Sequence, residues 1–188
     1  AAYNRPEAHR GWAPPSDAAV QKLMSKCASW CQTSDFIPSC KHAALQAAMA
    51  APTWTAAVQA AVNATLEQAI GSAHLRCEFT GLDAEDAEVV AYVVAASTSL
   101  KQLLLRENNL GDDGVVAIAK ALRVNGGLTK LDLQSNKFGD VGATAIAEAL
   151  RGHRSLAELE MADNLITTEG AVAIAETIKV NSVIRSLI

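Results

Sequence analysis

The chain has 188 residues and a mass of 19.7 kDa, which fits one domain or one repeat array with a small extension and excludes a multidomain machine. Hydrophobic residues make up 50% of the chain but aromatic residues only 4%, so the core must consist of Ala, Val, Leu and Ile, and large aromatic pockets are not expected. With 16 Lys and Arg against 20 Asp and Glu, the formal net charge of −4 provides no basic surface for nucleic acid.

The start of the chain and its cysteines bear on the cellular compartment. The chain begins Ala1-Ala2-Tyr3 without Met or an apolar signal core, which indicates a processed terminus or the edge of a longer chain. Its 4 cysteines are too few for a disulfide scaffold, which favours a reducing, intracellular compartment, including an organelle reached with a cleaved transit peptide. The longest uncharged stretch, residues 43–66, is interrupted by Pro52 and polar amides, so no membrane span is expected.

Two segments precede the regular part of the chain. Residues 1–15 contain Pro6, Pro14 and Pro15 and no periodicity, which predicts an extended arm. Residues 16–71 carry apolar residues at helical spacing and predict three Ala-rich helices. The residues expected to mark the helix ends are Ser16 and Asp17, Pro38 and Ser39, Thr53 and Gly71. We interpret this segment as a cap over the structure that follows or as an arm that docks on another subunit.

One group of side chains in this segment has the chemistry of a zinc site. Cys27, Cys31, Cys40 and His42 form C-x3-C-x8-C-x-H, but this spacing matches no standard zinc motif. Cys27 and Cys31 also lie on the apolar face of the first predicted helix, where buried thiols behave as small hydrophobic residues. Packing is therefore the preferred interpretation, with zinc binding and a Cys31–Cys40 disulfide as alternatives. No cofactor is expected.

A repeat of 28 residues organises the second half of the chain. Its copies begin at Leu100, Leu128 and Leu156 and align without gaps. Each copy starts with a short alternation of apolar residues, which predicts a strand, and continues with apolar residues at helical spacing, which predict a helix. Because strands stack at about 4.8 Å whereas helices need about 8 to 10 Å, the array must bend with the helices outside and the parallel strands lining a concave face.

Two residue types recur at fixed places in the repeat, and we interpret both as structural. An asparagine follows each strand, where its amide can pair with backbone groups that the sheet leaves unpaired. These residues are Asn108, Asn136 and Asn164. A glycine near the start of each helix allows close approach of the neighbouring repeat. These glycines are Gly114, Gly142 and Gly170.

The pattern Leu-x-x-Leu-x-Leu-x-x-Asn-x-Leu, followed by a Gly-bearing amphipathic helix, resembles the ribonuclease-inhibitor class of leucine-rich repeats. The resemblance implies an α/β fold, a right-handed solenoid of strand–helix repeats. An earlier, degenerate copy is expected at residues 72–99, with Cys77 in the core, Thr80 in place of the asparagine and Asp86 in place of the glycine. The predicted repeats are 72–99, 100–127, 128–155, 156–183 and the partial copy 184–188, an uncapped strand whose apolar edge invites association.

The side chains on the concave face vary between copies while the framework does not, as expected of a fixed frame with a tailored surface. The candidate partner-binding residues are Leu104, Arg106 and Glu107; Asp132, Gln134 and Ser135; and Glu160, Ala162 and Asp163. Their charge changes from mixed to acidic along the array, which favours a basic partner segment near the third copy. A merely solvated strand face is the alternative.

These features predict a non-enzymatic protein-interaction or structural module, an accessory subunit of a larger assembly. Motifs of zinc proteases, serine hydrolases and P-loop NTPases are absent from the sequence, so no catalytic residue is expected. The resemblance adds two alternatives. Similar repeats form the sensing part of NOD-like receptors, and the RanGAP family of GTPase-activating proteins has the same repeat class.

Overall fold

The computed structural model describes Ser16, Ala18, Ala19, Lys22 and residues 71–188. Ala18, Ala19 and Lys22 are helical, and the Ala19 N–H donates to Ser16 Oγ at 3.2 Å, the cap predicted for the first helix. Gly71 is helical and Ser72 is not, so the helix includes Gly71, which was predicted to follow its last residue. The predictions for the arm at 1–15 and for Cys27, Cys31, Cys40 and His42 lie outside the described residues.

Five short parallel strands form one sheet in chain order. The strands are β1 (His74–Arg76), β2 (Gln102–Leu104), β3 (Lys130–Asp132), β4 (Glu158–Glu160) and β5 (Ser186–Leu187). Every strand pairs with the next at an offset of one repeat, so that Leu75 faces Leu103, and Leu131 faces Leu159. The repeat in the sequence is therefore the register of the sheet.

A helix follows each of the first four strands and packs on one side of the sheet. The helices are α1 (Ala84–Ala96), α2 (Gly111–Leu122), α3 (Asp140–Leu150) and α4 (Thr168–Val180). Each helix contacts the next in chain order, as do the strands. The degenerate first copy supplies β1 and α1, and the partial last copy supplies β5.

The core lies between the sheet and the helices and consists almost entirely of aliphatic side chains. Leu103, Leu131 and Leu159 are fully buried. Among the described residues Phe138 is the largest fully buried side chain, and it occupies the repeat position that is leucine or isoleucine in the other copies. Cys77 is buried as a free thiol in the core, as predicted. At the last strand Leu187 is 46% exposed because the described chain provides no further layer over it.

Candidate functional site

A buried ladder of side-chain amides holds the ends of the strands together. Asn108 donates to the carbonyl oxygens of Cys77 at 2.6 Å, Leu105 at 2.8 Å and Arg106 at 3.3 Å. Its Oδ1 accepts from the backbone N–H groups of Thr80 and Leu82, both at 3.0 Å. One carboxamide thus pairs backbone groups of two successive repeats.

The next two asparagines repeat this arrangement with small differences. Asn136 is fully buried and donates to Leu105 and Gln134, while its backbone N–H donates to Asn164 Oδ1 at 2.8 Å. Asn164 donates to the carbonyl oxygens of Leu133 and Met161. Thr80 continues the ladder in the degenerate copy, since its hydroxyl bonds to Cys77 O and to Asn108 Oδ1.

The residue before each ladder position has a left-handed backbone. The φ angles are 56° at Phe79, 54° at Glu107, 54° at Ser135 and 56° at Asp163. A positive φ in a residue other than glycine is uncommon and recurs here at one position of every repeat. Three of these four residues belong to the predicted partner-binding set, so their direction is fixed by the frame.

A second polar ladder, which the residue types along the sequence do not reveal, joins the ends of the helices to the strands that follow. Its members are Ser97, Asn125, His153 and Asn181, one per repeat. Asn125 donates to the carbonyls of Val94 at 2.7 Å and Ser97 at 2.9 Å and accepts from Leu128 N at 2.9 Å. Ser97 Oγ accepts from Leu100 N at 3.0 Å, the equivalent contact one repeat earlier. The only signal in the sequence is the 28-residue spacing, because the side chains differ in chemistry.

His153 takes the place of an amide in this second ladder. Its Nδ1 accepts from Leu156 N at 3.1 Å, so the ring is held as a neutral acceptor at that nitrogen. Burial lowers the pKa of His153 below its usual value, and the nearby backbone carbonyl of Asn125 opposes this only in part. Protonation of the ring would remove the acceptor that the Leu156 N–H requires.

Carboxylates of one repeat cap the helix of the next. Asp112 Oδ1 accepts from the N–H groups of Gly139 at 2.9 Å and Gly142 at 2.7 Å. Asp140 repeats this toward Thr167 at 2.8 Å and Gly170 at 2.9 Å. The hydrogen bond from the Thr167 hydroxyl, followed by the backbone bonds, lowers the pKa of Asp140. The caps supply the acceptors that the first N–H groups of α3 and α4 require.

The glycines near the starts of α3 and α4 leave room for these caps. A Cβ atom at Gly142 would lie 3.0 Å from Asp112 Oδ1, and one at Gly170 would lie 2.5 Å from Asp140 Oδ1. At Gly114 the nearest atoms would instead be carbon atoms, because residue 84 is Ala. The predicted close approach at these glycines is confirmed. Asp86, which takes the glycine position in α1, completes a capping box with Asp83.

The side of the sheet away from the helices carries the variable side chains, and we call it the open face. It is formed by alternate residues of the strands and the residues just after them: His74, Arg76 and Glu78; Gln102, Leu104 and Arg106; Lys130, Asp132 and Gln134; Glu158, Glu160 and Ala162. The side chains at these positions differ between copies and include basic, apolar, amide and acidic ones. The central residue of each of the first four strands, in contrast, is always leucine. The structure brings together on this face six of the nine predicted residues, with Glu107, Ser135 and Asp163 at its edge.

Lys130 organises the charges on the acidic half of the open face. Its Nζ lies 2.6 Å from Glu160 Oε1 and 3.3 Å from Glu158 Oε2. The hydrogen bond to Glu160, followed by that to Glu158, raises the pKa of Lys130. Asp163 accepts from Gln134 Nε2 at 2.9 Å beside this group. The ion pairs leave an excess of negative charge on β3 and β4.

Asp132 differs from the other predicted residues because only 5% of its surface is exposed. Burial raises the pKa of Asp132, and the bond from the Gln134 N–H to its Oδ1, at 3.0 Å, opposes this shift. The carboxylate of Glu160 adds to the rise, whereas Arg106 and Lys130 lower it. Asp132 therefore contributes more to the acidity of the open face than to direct contact with a partner.

The part of the chain that the structure describes contains no cluster of three or more metal-binding side chains. Among the same residues there is no helix with the length and apolar character needed to cross a bilayer. Two surface concavities of about 690 and 500 Å³ lie beside the loop at Asn125 and Gly126, at the helix ends and away from the open face.

Comparisons with known proteins agree with the repeat architecture. A family model described as Leucine Rich repeat matches residues 96–119, 128–147 and 152–175. The solved structure titled Leiomodin-1 Actin-Binding Site 2 is similar with a TM-score of 0.62 and 23% identity, over 66% of this chain and 76% of that chain. The tropomodulin C-terminal domain of Caenorhabditis elegans is similar with a TM-score of 0.52 and 16% identity, over 65% of this chain and 76% of that chain. No curated protein matches the sequence.

The three matched ranges each contain one strand and most of the helix that follows it, in the second, third and fourth repeats. At these identities the two solved structures show a common fold and no more. The sheet register, the amide ladder and the family match agree on the same period. The chain contains leucine-rich repeats, and they form a parallel five-stranded sheet with helices on one side of it.

Proposed function

We propose that this protein is a non-enzymatic binding module of the ribonuclease-inhibitor repeat class that holds a protein partner on its open face. The observation that carries the proposal is the contrast between the two sides of each strand. Leu103, Leu131 and Leu159 are identical and fully buried, whereas the residues beside them differ in charge and size from copy to copy. Repeat folds use such a fixed frame to present an extended binding surface.

The partner segment is basic. Around Lys130 the open face carries the carboxylates of Glu158, Glu160, Asp132 and Asp163, which exceed the nearby positive charge. Glu158 is exposed and Glu160 is half-buried, so both can reach a bound segment. Complementary charge of this kind increases the rate of association and fixes the orientation of the partner.

The test identifies the partner from defined positions on the surface. A photoreactive amino acid is placed at Gln134 or Ala162 on the open face, and at Lys120 on the exposed side of α2, in the full chain added to an extract of the native source. The proposal expects one partner protein to crosslink through the same segment from Gln134 and Ala162 and not from Lys120. Equal crosslinking from all three positions, or none from the open face, would contradict it.

An accessory role in a larger assembly is the setting we propose for this binding. Native-source crosslinks to several subunits of one complex would support this role. The name of the leiomodin-1 structure includes an actin-binding site. Cosedimentation with filamentous actin therefore belongs among the binding assays, with Glu158→Gln as the variant that tests the open face.

The two alternatives from the resemblance are tested separately. A RanGAP-like regulator would accelerate GTP hydrolysis by a small GTPase, which a turnover assay measures directly. A part of a NOD-like receptor would crosslink to a nucleotide-binding domain. The binding module is favoured because Asn108, Asp112 and His153, which have side chains capable of chemistry, bond to the protein's own backbone.

A further inference from the structure

The outer side of α1 is buried, unlike the outer sides of the other helices. Val89, Tyr92 and Ala96 form one stripe at helical spacing and are 0%, 8% and 8% exposed. The position of Tyr92 is taken by exposed Lys120 in α2, and by exposed glutamates in α3 and α4. The position of Ala96 is taken by Val124, which is 50% exposed.

The composition of this stripe matches its burial. Aromatic residues are rare in this chain, yet Tyr92 occupies a position that is charged in every other helix. Because β1 and α1 form the first repeat, neither a strand nor a helix of an earlier repeat lies beside them in the described chain. The stripe therefore requires cover from outside the array of repeats.

A contact at the N-terminal end of the same stripe indicates where the cover comes from. Lys22 Nζ lies 2.5 Å from Glu85 Oε2 and 3.0 Å from Asp83 Oδ2. Glu85 is one helical turn before Val89 on the stripe, and Asp83 is the N-cap of α1. These contacts join residue 22, in the predicted helical segment, to the first repeat.

We propose that residues 16–71 of the same chain dock on the stripe of Val89, Tyr92 and Ala96 and form the N-terminal cap of the solenoid, with Lys22 as the polar anchor at one end. Only two residues separate Gly71 from β1, so the chain enters the first repeat directly from this segment. The sequence supplies the complementary surface, because this segment is Ala-rich and carries apolar residues at helical spacing. The cap leaves the open face as the surface for a partner.

The test uses the full chain with benzoylphenylalanine, a photoreactive residue, in place of Tyr92. The matched control carries it in place of Lys120, the equivalent position one repeat later. Equal amounts of ¹⁴N and ¹⁵N protein are mixed before irradiation so that crosslinks within one chain are distinguished from those between copies. We expect crosslinks from position 92 to peptides of residues 16–71 in the same chain, and none from position 120.

Crosslinks that join a ¹⁴N chain to a ¹⁵N chain would assign the stripe to a second copy of the chain and overturn the proposal. The absence of crosslinks to residues 16–71 would overturn it as well.

A second measurement compares Tyr92→Glu with Lys120→Glu by thermal unfolding. A covered stripe predicts a fall in Tm of about 5 °C or more for Tyr92→Glu alone, since a charge must then be buried, and equal Tm values would contradict the cap.

Discussion

The side chain of Asn108 should contribute several kcal/mol to the free energy of unfolding, although it is not one of the predicted partner-binding residues. Its side chain is 5% exposed and bonds to backbone groups of two repeats. In Asn108→Ala the three carbonyl oxygens keep other donors: Thr80 Oγ1 for Cys77, Asn136 Nδ2 for Leu105 and Phe79 N for Arg106. The N–H groups of Thr80 and Leu82 lose the Oδ1 acceptor.

The magnitude follows from these two donors. A buried donor left without an acceptor costs about 1 to 3 kcal/mol, so the loss of both acceptors in Asn108→Ala should lower the free energy of unfolding by about 2 to 6 kcal/mol. For a chain of this size Tm then falls by about 4 to 24 °C. Urea unfolding followed by circular dichroism measures the first quantity, and a thermal scan measures the second.

Asn109 provides the matched control because it is the neighbouring asparagine, is exposed and has no side-chain hydrogen bond of its own in the described structure. Asn109→Ala should change the free energy of unfolding by no more than about 0.5 kcal/mol. If the two variants unfold within that margin of each other, the amide ladder does not hold the strand ends together.

Three further predictions concern the caps, the second ladder and the open face. Gly170→Ala should cost about 1 to 3 kcal/mol, because its Cβ would meet Asp140 Oδ1 at 2.5 Å, whereas Gly152→Ala, with open space around its Cβ, should cost nothing in the same urea titration. His153 should make unfolding pH-dependent, because its pKa in the folded protein lies below 6.5 and the unfolded chain therefore binds the extra proton. The free energy of unfolding should fall as the pH decreases below about 6.5. His153→Asn should remove this pH dependence when urea midpoints are compared between about pH 5 and 8. Asp132→Asn should keep or increase stability at pH 7, because burial raises the pKa of this carboxyl and the charged form is penalised, and a loss of more than about 1 kcal/mol would contradict this.

The fold could be predicted because the same 28-residue period sets both the register of the strands and the positions of the helices. The spacing of Leu103, Leu131 and Leu159 fixes the strand register, and the glycines at the same spacing fix where the helices begin. The degenerate copy was recognisable despite Thr80 because its apolar positions stay in register. Hydroxyl and amide side chains perform the same task there, so the substitution leaves the turn intact.

Three features could not be predicted, and each has a physical cause. The left-handed residues include Phe79 and Glu107, and no glycine marks them. The second ladder uses a hydroxyl, two amides and an imidazole, which share only the ability to accept a backbone N–H. The carboxylate caps join Asp112 and Asp140 to the following helix, and a local cap pattern within one helix does not reveal a donor from the next repeat.

The candidate surface was predictable in position but not in electrostatics. Alternation along the strands identified Leu104, Gln134 and Glu160 as facing away from the helices. The ion pairs of Lys130 and the burial of Asp132 depend on distances between strands, which a single sequence does not contain. The charge available to a partner is consequently smaller than the count of acidic residues indicates.

Binding of the partner segment that crosslinking identifies shows whether the open face is the binding site. The affinity of that segment, as a synthetic peptide, is measured by calorimetry for the wild type, for Glu158→Gln with Glu160→Gln on the open face, and for Glu176→Gln on the exposed side of α4. If the partner binds on the open face, the affinity should fall about tenfold or more for the double variant, equivalent to about 1.4 kcal/mol. The affinity should not change for Glu176→Gln. Equal affinities for all three proteins would contradict the claim that the partner binds on the open face.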